Sequence, residues 1–163
     1  MLFRSVDASS TRGRGSTFAV YLPASTSPAP HQERRPSKSV RGTETVLLVD
    51  DEQIVLDVGK PMLERLGYQV LSAAGGREAI EVYHRQKGKI DLVILDLIMP
   101  DLAGGAVFDR LKEIDPEVKV LLASGYSREG QAERILRRGC KGFIQKPFSM
   151  EKLSEKIRDI LQA

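Results

Sequence analysis

Cysteine is almost absent from this sequence: Cys140 is the single one in 163 residues. One thiol excludes an internal disulfide framework and a thiolate metal site. It also predicts a reduced, cytoplasmic setting. Histidine is scarce as well. His31 and His84 have no partner at ligand spacing, and both are read as solvated. No apolar run approaches the ~20 residues that a membrane span needs. The opening Met1-Leu2-Phe3-Arg4-Ser5 is too poor in apolar residues for a secretory signal, so no membrane contact is expected. What is present suits a globular domain. The hydrophobic fraction of 41% can fill a core, and the charged fraction of 29% is ordinary.

The charge is unevenly placed. Residues 1–43 carry seven Lys/Arg against two Asp/Glu, a balance of +5, so the net +3 of the chain leaves −2 for residues 44–163. The basic residues of the tail are scattered and make no helical stripe. They predict a solvated tail and no specific DNA binding.

Composition divides the chain in the same place. Residues 24–43 are rich in proline, serine and charge and cannot bury enough surface to offset the entropy of ordering. They predict a flexible linker. From Thr45 the texture changes. Thr45-Val46-Leu47-Leu48-Val49 is a continuous apolar run that ends on Asp50-Asp51, as expected of a strand buried on both faces. Helical spacing follows over residues 52–66, closed by Gly67. The alternation then repeats: strand 69–73 and helix 76–86, strand 91–96 and helix 105–114, strand 118–123 and helix 128–138, strand 142–145 and helix 150–161. Five strands alternating strictly with five helices predict an α/β fold, a parallel sheet covered on both faces.

Three carboxylates stand out within that pattern. Asp50 and Asp51 follow the first strand, and Asp96 ends the third. In a doubly wound sheet ligands bind beyond the carboxyl ends of the strands. If the first and third strands are neighbours, the three acids converge and repel one another. A hard divalent cation with oxygen ligands relieves that repulsion, and magnesium is the natural choice. Ser124 and Lys146 stand after the fourth and fifth strands, a hydroxyl and a point cation suited to a phosphoryl group. Lys146-Pro147 also admits a cis peptide. Cys140 is read as a small packed residue near the fifth strand, and Gly104-Gly105 as loop punctuation.

Four stretches now stand together: Val49-Asp50-Asp51-Glu52, Leu95-Asp96-Leu97-Ile98-Met99-Pro100, Ala123-Ser124-Gly125 and Lys146-Pro147-Phe148. In sequence and spacing they resemble the signature stretches of response-regulator receiver domains, over residues 44–163. The resemblance implies a flavodoxin-like fold of strand order 2-1-3-4-5. It implies that Asp96 is the phosphoacceptor, and that Asp50, Asp51, Asp96 and the backbone carbonyl of Ile98 hold Mg2+. Ser124 and Lys146 would contact the phosphoryl group, with Ser124 and Phe143 as switch residues. A plain core phenylalanine is the rival reading of Phe143. Ile98 and Tyr126 would flank the path of a hydrolytic water. The implied partner is the phosphohistidine domain of a histidine kinase or a histidine phosphotransfer protein. The receiver itself then serves as an acceptor with self-catalysed phosphotransfer.

Residues 11–23 read Thr-Arg-Gly-Arg-Gly-Ser-Thr-Phe-Ala-Val-Tyr-Leu-Pro. This order resembles the last glycine box and final strand of a histidine-kinase ATPase domain. Residues 1–23 are therefore expected to be the remnant of such a domain, and the whole the C-terminal piece of a hybrid histidine kinase. Phe18–Leu22 is expected to be an exposed strand lacking its sheet neighbours, open to pairing in a weak homodimer. A stand-alone single-domain regulator is an alternative. Another is a small phosphatase using Asp96 as nucleophile, although Ile98 stands where that chemistry wants a second acid. A flavin or dinucleotide site is disfavoured by the acidic loop Asp50-Asp51-Glu52. The chain stops at Ala163, which argues against an attached DNA-binding effector.

Overall fold

A computed structural model describes residues 5–22, 42–125 and 130–162. Most of the expected linker, His31 and Tyr126 lie outside the described residues. The chain divides into two units, Met1–Arg35 and Pro36–Ala163.

In the first unit, β1 (Ser5–Thr11) and β2 (Gly15–Tyr21) form an antiparallel pair. Gly13 in the turn between them and Gly15 at the start of β2 stand at φ +77° and +96°, a region glycine enters without steric cost. The sequence reading expected Phe18–Leu22 to lack its sheet neighbours, and here a correction is needed. β2 has one neighbour, β1, with Val6 opposite Val20 and Ala8 opposite Phe18. Ser-Val-Asp-Ala-Ser-Ser-Thr is too polar to announce a strand by alternation. Only pairing reveals it.

The second unit contains β3 (Thr45–Val49), α1 (Gln53–Arg65), β4 (Gln69–Ala73), α2 (Gly76–Arg85), β5 (Leu92–Asp96), α3 (Gly104–Ile114), β6 (Val120–Ser124), α4 (Gln131–Arg137), β7 (Gly142–Gln145) and α5 (Met150–Leu161). The sheet order is β4-β3-β5-β6-β7, and every pairing is parallel. Counted within this unit, that is the expected order 2-1-3-4-5.

Alternate residues of each central strand face opposite cores. Leu47, Val49, Val93, Leu95, Val120 and Leu122 pack toward α2, α3 and α4, where Tyr83, Phe108 and Ile135 meet them. Val46, Leu48, Leu92, Ile94 and Leu121 pack toward α1 and α5, against Leu63 and Ile157. Both faces are covered, which is why these strands read as unbroken apolar runs. Each fully buried Leu contributes about 1.5–3 kcal/mol.

The starts of two elements, β6 and α4, differ from the sequence reading by more than one residue. β6 begins at Val120, because Val118 N–H bonds Asp115 O and Glu117 N–H bonds Asp115 Oδ1 in the preceding turn. It also runs one residue further, so Ser124 belongs to the strand. α4 begins at Gln131 rather than Arg128, since Gly130 at φ +77° lies outside the helical region. No helix among the described residues is long and apolar enough to cross a membrane.

Candidate functional site

The site is built on backbone that the sheet holds rigid. Ladder hydrogen bonds continue one residue past three strands: Asp50 N–H to Ala73 O at 3.2 Å, Leu97 N–H to Ala123 O at 3.1 Å, and Lys146 N–H to Ser124 O at 2.8 Å. The parallel register pairs Val49 with Leu95, Asp96 with Ala123 and Ser124 with Gln145. Side chains at the ends of β3, β5, β6 and β7 therefore meet at one edge of the sheet.

Asp50 is 2% exposed and Asp96 6%. Two carboxylates this deep require partners. Lys146 supplies one for both: its Nζ donates to Asp50 Oδ2 and, at 2.7 Å, to Asp96 Oδ1. The remaining oxygens accept from the backbone, Asp50 Oδ1 from Glu52 N–H at 3.1 Å and Asp96 Oδ2 from Ile98 N–H at 2.8 Å. Burial pushes the Asp50 carboxyl up, and the Lys146 hydrogen bond and charge offset only part of that. Burial pulls the Lys146 ammonium down, but its hydrogen bonds to Asp50 and Asp96 and their negative charges outweigh that, so its pKa is raised. By formal count one ammonium faces two carboxylates here.

Asp51 is exposed on the same cleft, a space of ≈ 720 Å³ that Asp96, Ser124 and Lys146 also line. Among the described residues no three acidic, histidine or cysteine side chains form a ready metal cage. The surplus negative charge and the hard oxygen donors nevertheless suit a divalent cation such as magnesium. Apolar side chains line the same cleft. Ile54, Val58 and Ile98 are 69%, 58% and 55% exposed there, unusual for such side chains.

The structure thus brings Asp50, Asp96 and Lys146 into direct contact, with Ser124 buried beside them and Asp51 and Ile98 on the cleft. Phe143 is placed elsewhere. It is half-buried against the core on the α4 side. Lys146–Pro147 is cis, as the dipeptide admits. Two residues with a bearing on the site were not singled out for it from sequence. A Cβ on Gly104 would lie 2.3 Å from the Asp96 carbonyl oxygen, so only glycine lets α3 start under the phosphoacceptor candidate. Asp101 bonds the start of α2. No local sequence signal marks either role, because both contacts depend on how distant segments pack.

Comparison with known proteins agrees with this geometry. Residues 46–158 match the response regulator receiver domain family. Sensor kinase CckA of Brucella abortus is 33% identical over 159 residues, covering 92% of this chain and 17% of the kinase. That alignment is longer than the receiver match and takes in residues on its N-terminal side. A solved receiver domain from hybrid histidine kinase CckA is 32% identical with a TM-score of 0.62, covering 72% of this chain and 99% of that one. CheY in a CheX–CheY–BeF3–Mg complex from Borrelia burgdorferi is 28% identical with a TM-score of 0.69, covering 72% and 88%. The chain belongs to the response regulator receiver domain family, the receiver module of two-component signalling.

Proposed function

We propose that this receiver takes a phosphoryl group onto Asp96 in a magnesium-dependent reaction and exchanges it with a histidine on another domain, as part of a hybrid histidine kinase. The observation that carries this reading is the buried Asp50–Lys146–Asp96 arrangement at adjacent strand ends. In the reaction an Asp96 carboxylate oxygen attacks phosphorus, a phosphorus–oxygen bond forms, and the donor's bond to phosphorus breaks with the leaving group. Phosphoryl transfer needs position and charge neutralisation more than covalent help. Lys146 is placed to follow the charge from the carboxylate to the phosphoryl oxygens, and the Ser124 hydroxyl to hydrogen-bond one of them. Asp50, Asp51, Asp96 and the Ile98 carbonyl would hold magnesium, which supplies further neutralisation of the transferring group. The CheY solved with BeF3 and Mg supports that expectation.

The apolar wall suggests how the partner docks. Ile54 and Val58 on α1 and Ile98 beside Asp96 give a helix an exposed apolar strip next to the reactive carboxylate. Residues 1–23 are read as the C-terminal edge of a kinase ATPase domain. Val6, Phe18 and Val20 on one face of the hairpin are 65%, 71% and 62% exposed, and the CckA alignment extends past the receiver. Both support the hybrid assignment. The net charge of −2 on residues 44–163 fits a protein partner better than nucleic acid.

The test is intact mass after incubation with acetyl phosphate. The full chain gains one phosphoryl group with magnesium and none with excess chelator. Labelling that ignores the chelator removes magnesium from the proposal.

The phosphorylated form is expected to be long-lived. Hydrolysis needs a water in line with the bond from Asp96 to phosphorus. Ile98, exposed on the cleft, cannot orient one, and Tyr126 is bulky enough to shield the group. Ile98→Asn with Tyr126→Glu should speed the decay roughly tenfold, equivalent to about 1.4 kcal/mol of barrier. The measurement is first-order loss of phosphate after donor removal. Equal rates in both proteins would clear these residues of any control over water access.

A further inference from the structure

The first turn of α2 lacks a local cap. Its N-cap residue is Gly75, which has no side chain to offer. Helix starts leave orphan N–H groups that require an acceptor. The acceptor comes from 25 residues further on, in the loop between β5 and α3. Asp101 Oδ1 accepts Gly76 N–H at 3.0 Å and Oδ2 accepts Arg77 N–H at 2.9 Å. Glu78 completes the end by accepting Ala74 N–H at 2.7 Å. A carboxylate at the positive end of a helix is favourable in itself. These backbone hydrogen bonds hold the Asp101 carboxyl below its ordinary range, Arg77 contributing most.

The same loop carries the groups that orient Asp96. Ile98 N–H is bonded to Asp96 Oδ2 at 2.8 Å, and Gly104 N–H closes the loop on Leu97 O at 3.1 Å. Leu97 and Met99 enter the core, which sets how deeply the loop sits. Beyond Met99, Asp101 ties the loop laterally to the start of α2. The fit against α2 is close. A Cβ on Gly75 would lie 2.9 Å from Asp101 Oδ2, and one on Gly76 2.5 Å from Val107 Cγ2 and 2.8 Å from Leu102 O.

We propose that Asp101 is a positioning residue for Asp96: by clamping residues 97–103 onto the start of α2, it holds the Ile98 backbone where it orients the Asp96 carboxylate. The proposal rests on Asp96 being the phosphoacceptor. Displacements of an ångström at a reacting group can cost up to a hundredfold in rate, so a loosened clamp should be visible in the labelling rate with Asp96 itself untouched.

The experiment compares the full chain with Asp101→Ala, Asp101→Asn, Gly75→Ala and a control, Asp115→Ala. Asp115 also holds two partners, Glu117 N–H and the Tyr83 hydroxyl of α2, but stands at the far end of α3. Two readouts are taken: amide hydrogen exchange at Ile98 without any phosphodonor, and labelling rate from acetyl phosphate at saturating magnesium. Asp101→Ala is expected to speed exchange at Ile98 and to slow labelling roughly tenfold. Asp101→Asn, which keeps one acceptor oxygen, should fall between it and wild type. Gly75→Ala crowds the carboxylate at an extended position (φ 165°) and should shift both readouts the same way by less. Asp115→Ala should lower the melting temperature and leave both unchanged. Unchanged exchange at Ile98 in Asp101→Ala overturns the clamp. Faster exchange with normal labelling, or equal slowing in Asp115→Ala, overturns its bearing on Asp96. If the wild type takes no label, the phosphoacceptor reading falls instead, and the exchange data alone decide whether Asp101 holds the loop.

Discussion

Asp96→Asn is expected to fold and to take no phosphoryl group at all. The amide is isosteric with the carboxylate, so packing at a position only 6% exposed is preserved. Its oxygen can still accept Ile98 N–H. Its nitrogen is a poor acceptor and cannot replace the oxygen that faces Lys146 at 2.7 Å. That lost hydrogen bond costs on the order of 1–3 kcal/mol. Removing the repulsion between Asp96 and Asp50, which contributes to the raised Asp50 carboxyl, offsets part of it. The change in melting temperature should therefore be modest while labelling falls to background, because an amide offers no nucleophile of carboxylate strength. Intact mass and a melting curve on the same samples read both. Labelling equal to wild type would move the phosphoacceptor to another residue.

Lys146→Met should have the second large effect, on stability as well as on function. Methionine fills about the same volume and removes the ammonium. Asp50 and Asp96, at 3% and 9% side-chain exposure in their ion pairs, are then two buried carboxylates without a cation. Breaking a buried pair by deleting one partner costs about 3–5 kcal/mol. The low end applies here because the site opens onto a cleft. Three observations should follow together. The variant melts well below wild type without divalent ions. Magnesium raises its melting temperature by more than it raises that of wild type, since the ion meets two unpaired charges and its stabilisation grows with affinity. Labelling of Asp96 nevertheless stays strongly impaired, because charge on the transferred group has lost its fixed counter-ion. Chelator-dependent melting curves and labelling time courses test all three. A variant as stable as wild type in chelator would show that the Asp50–Lys146–Asp96 contacts contribute no net stability.

The lysine also shows where sequence reasoning stops. Lys146 is legible as a cation after an apolar strand, and Asp96 as an acid after another. Nothing local says that the ammonium bonds Asp50, 96 residues away, as well as Asp96. The acids themselves suggested three convergent carboxylates. The folded site joins two of them through Lys146 and leaves Asp51 exposed on the cleft.

By itself the sequence determined the elements of residues 44–163 and their order. Hydrophobic runs such as Leu92–Leu95 are periodic or continuous according to the faces they bury, and Gly67 and Gly139 close helices at positive φ. Strict alternation and right-handed crossovers then leave few sheets, and strand ends within such a sheet must share an edge. That is why residues that meet at the cleft could be singled out from the sequence. Tertiary structure alone decided the rest. It paired the polar strand Ser5–Thr11 with β2, began α4 at Gln131, seated Gly104 under the Asp96 carbonyl, and capped α2 with Asp101. Each of these is a contact between segments distant in the chain or a backbone angle set by packing. Such contacts are fixed by the three-dimensional arrangement of neighbours, and hydrophobic periodicity carries no record of it.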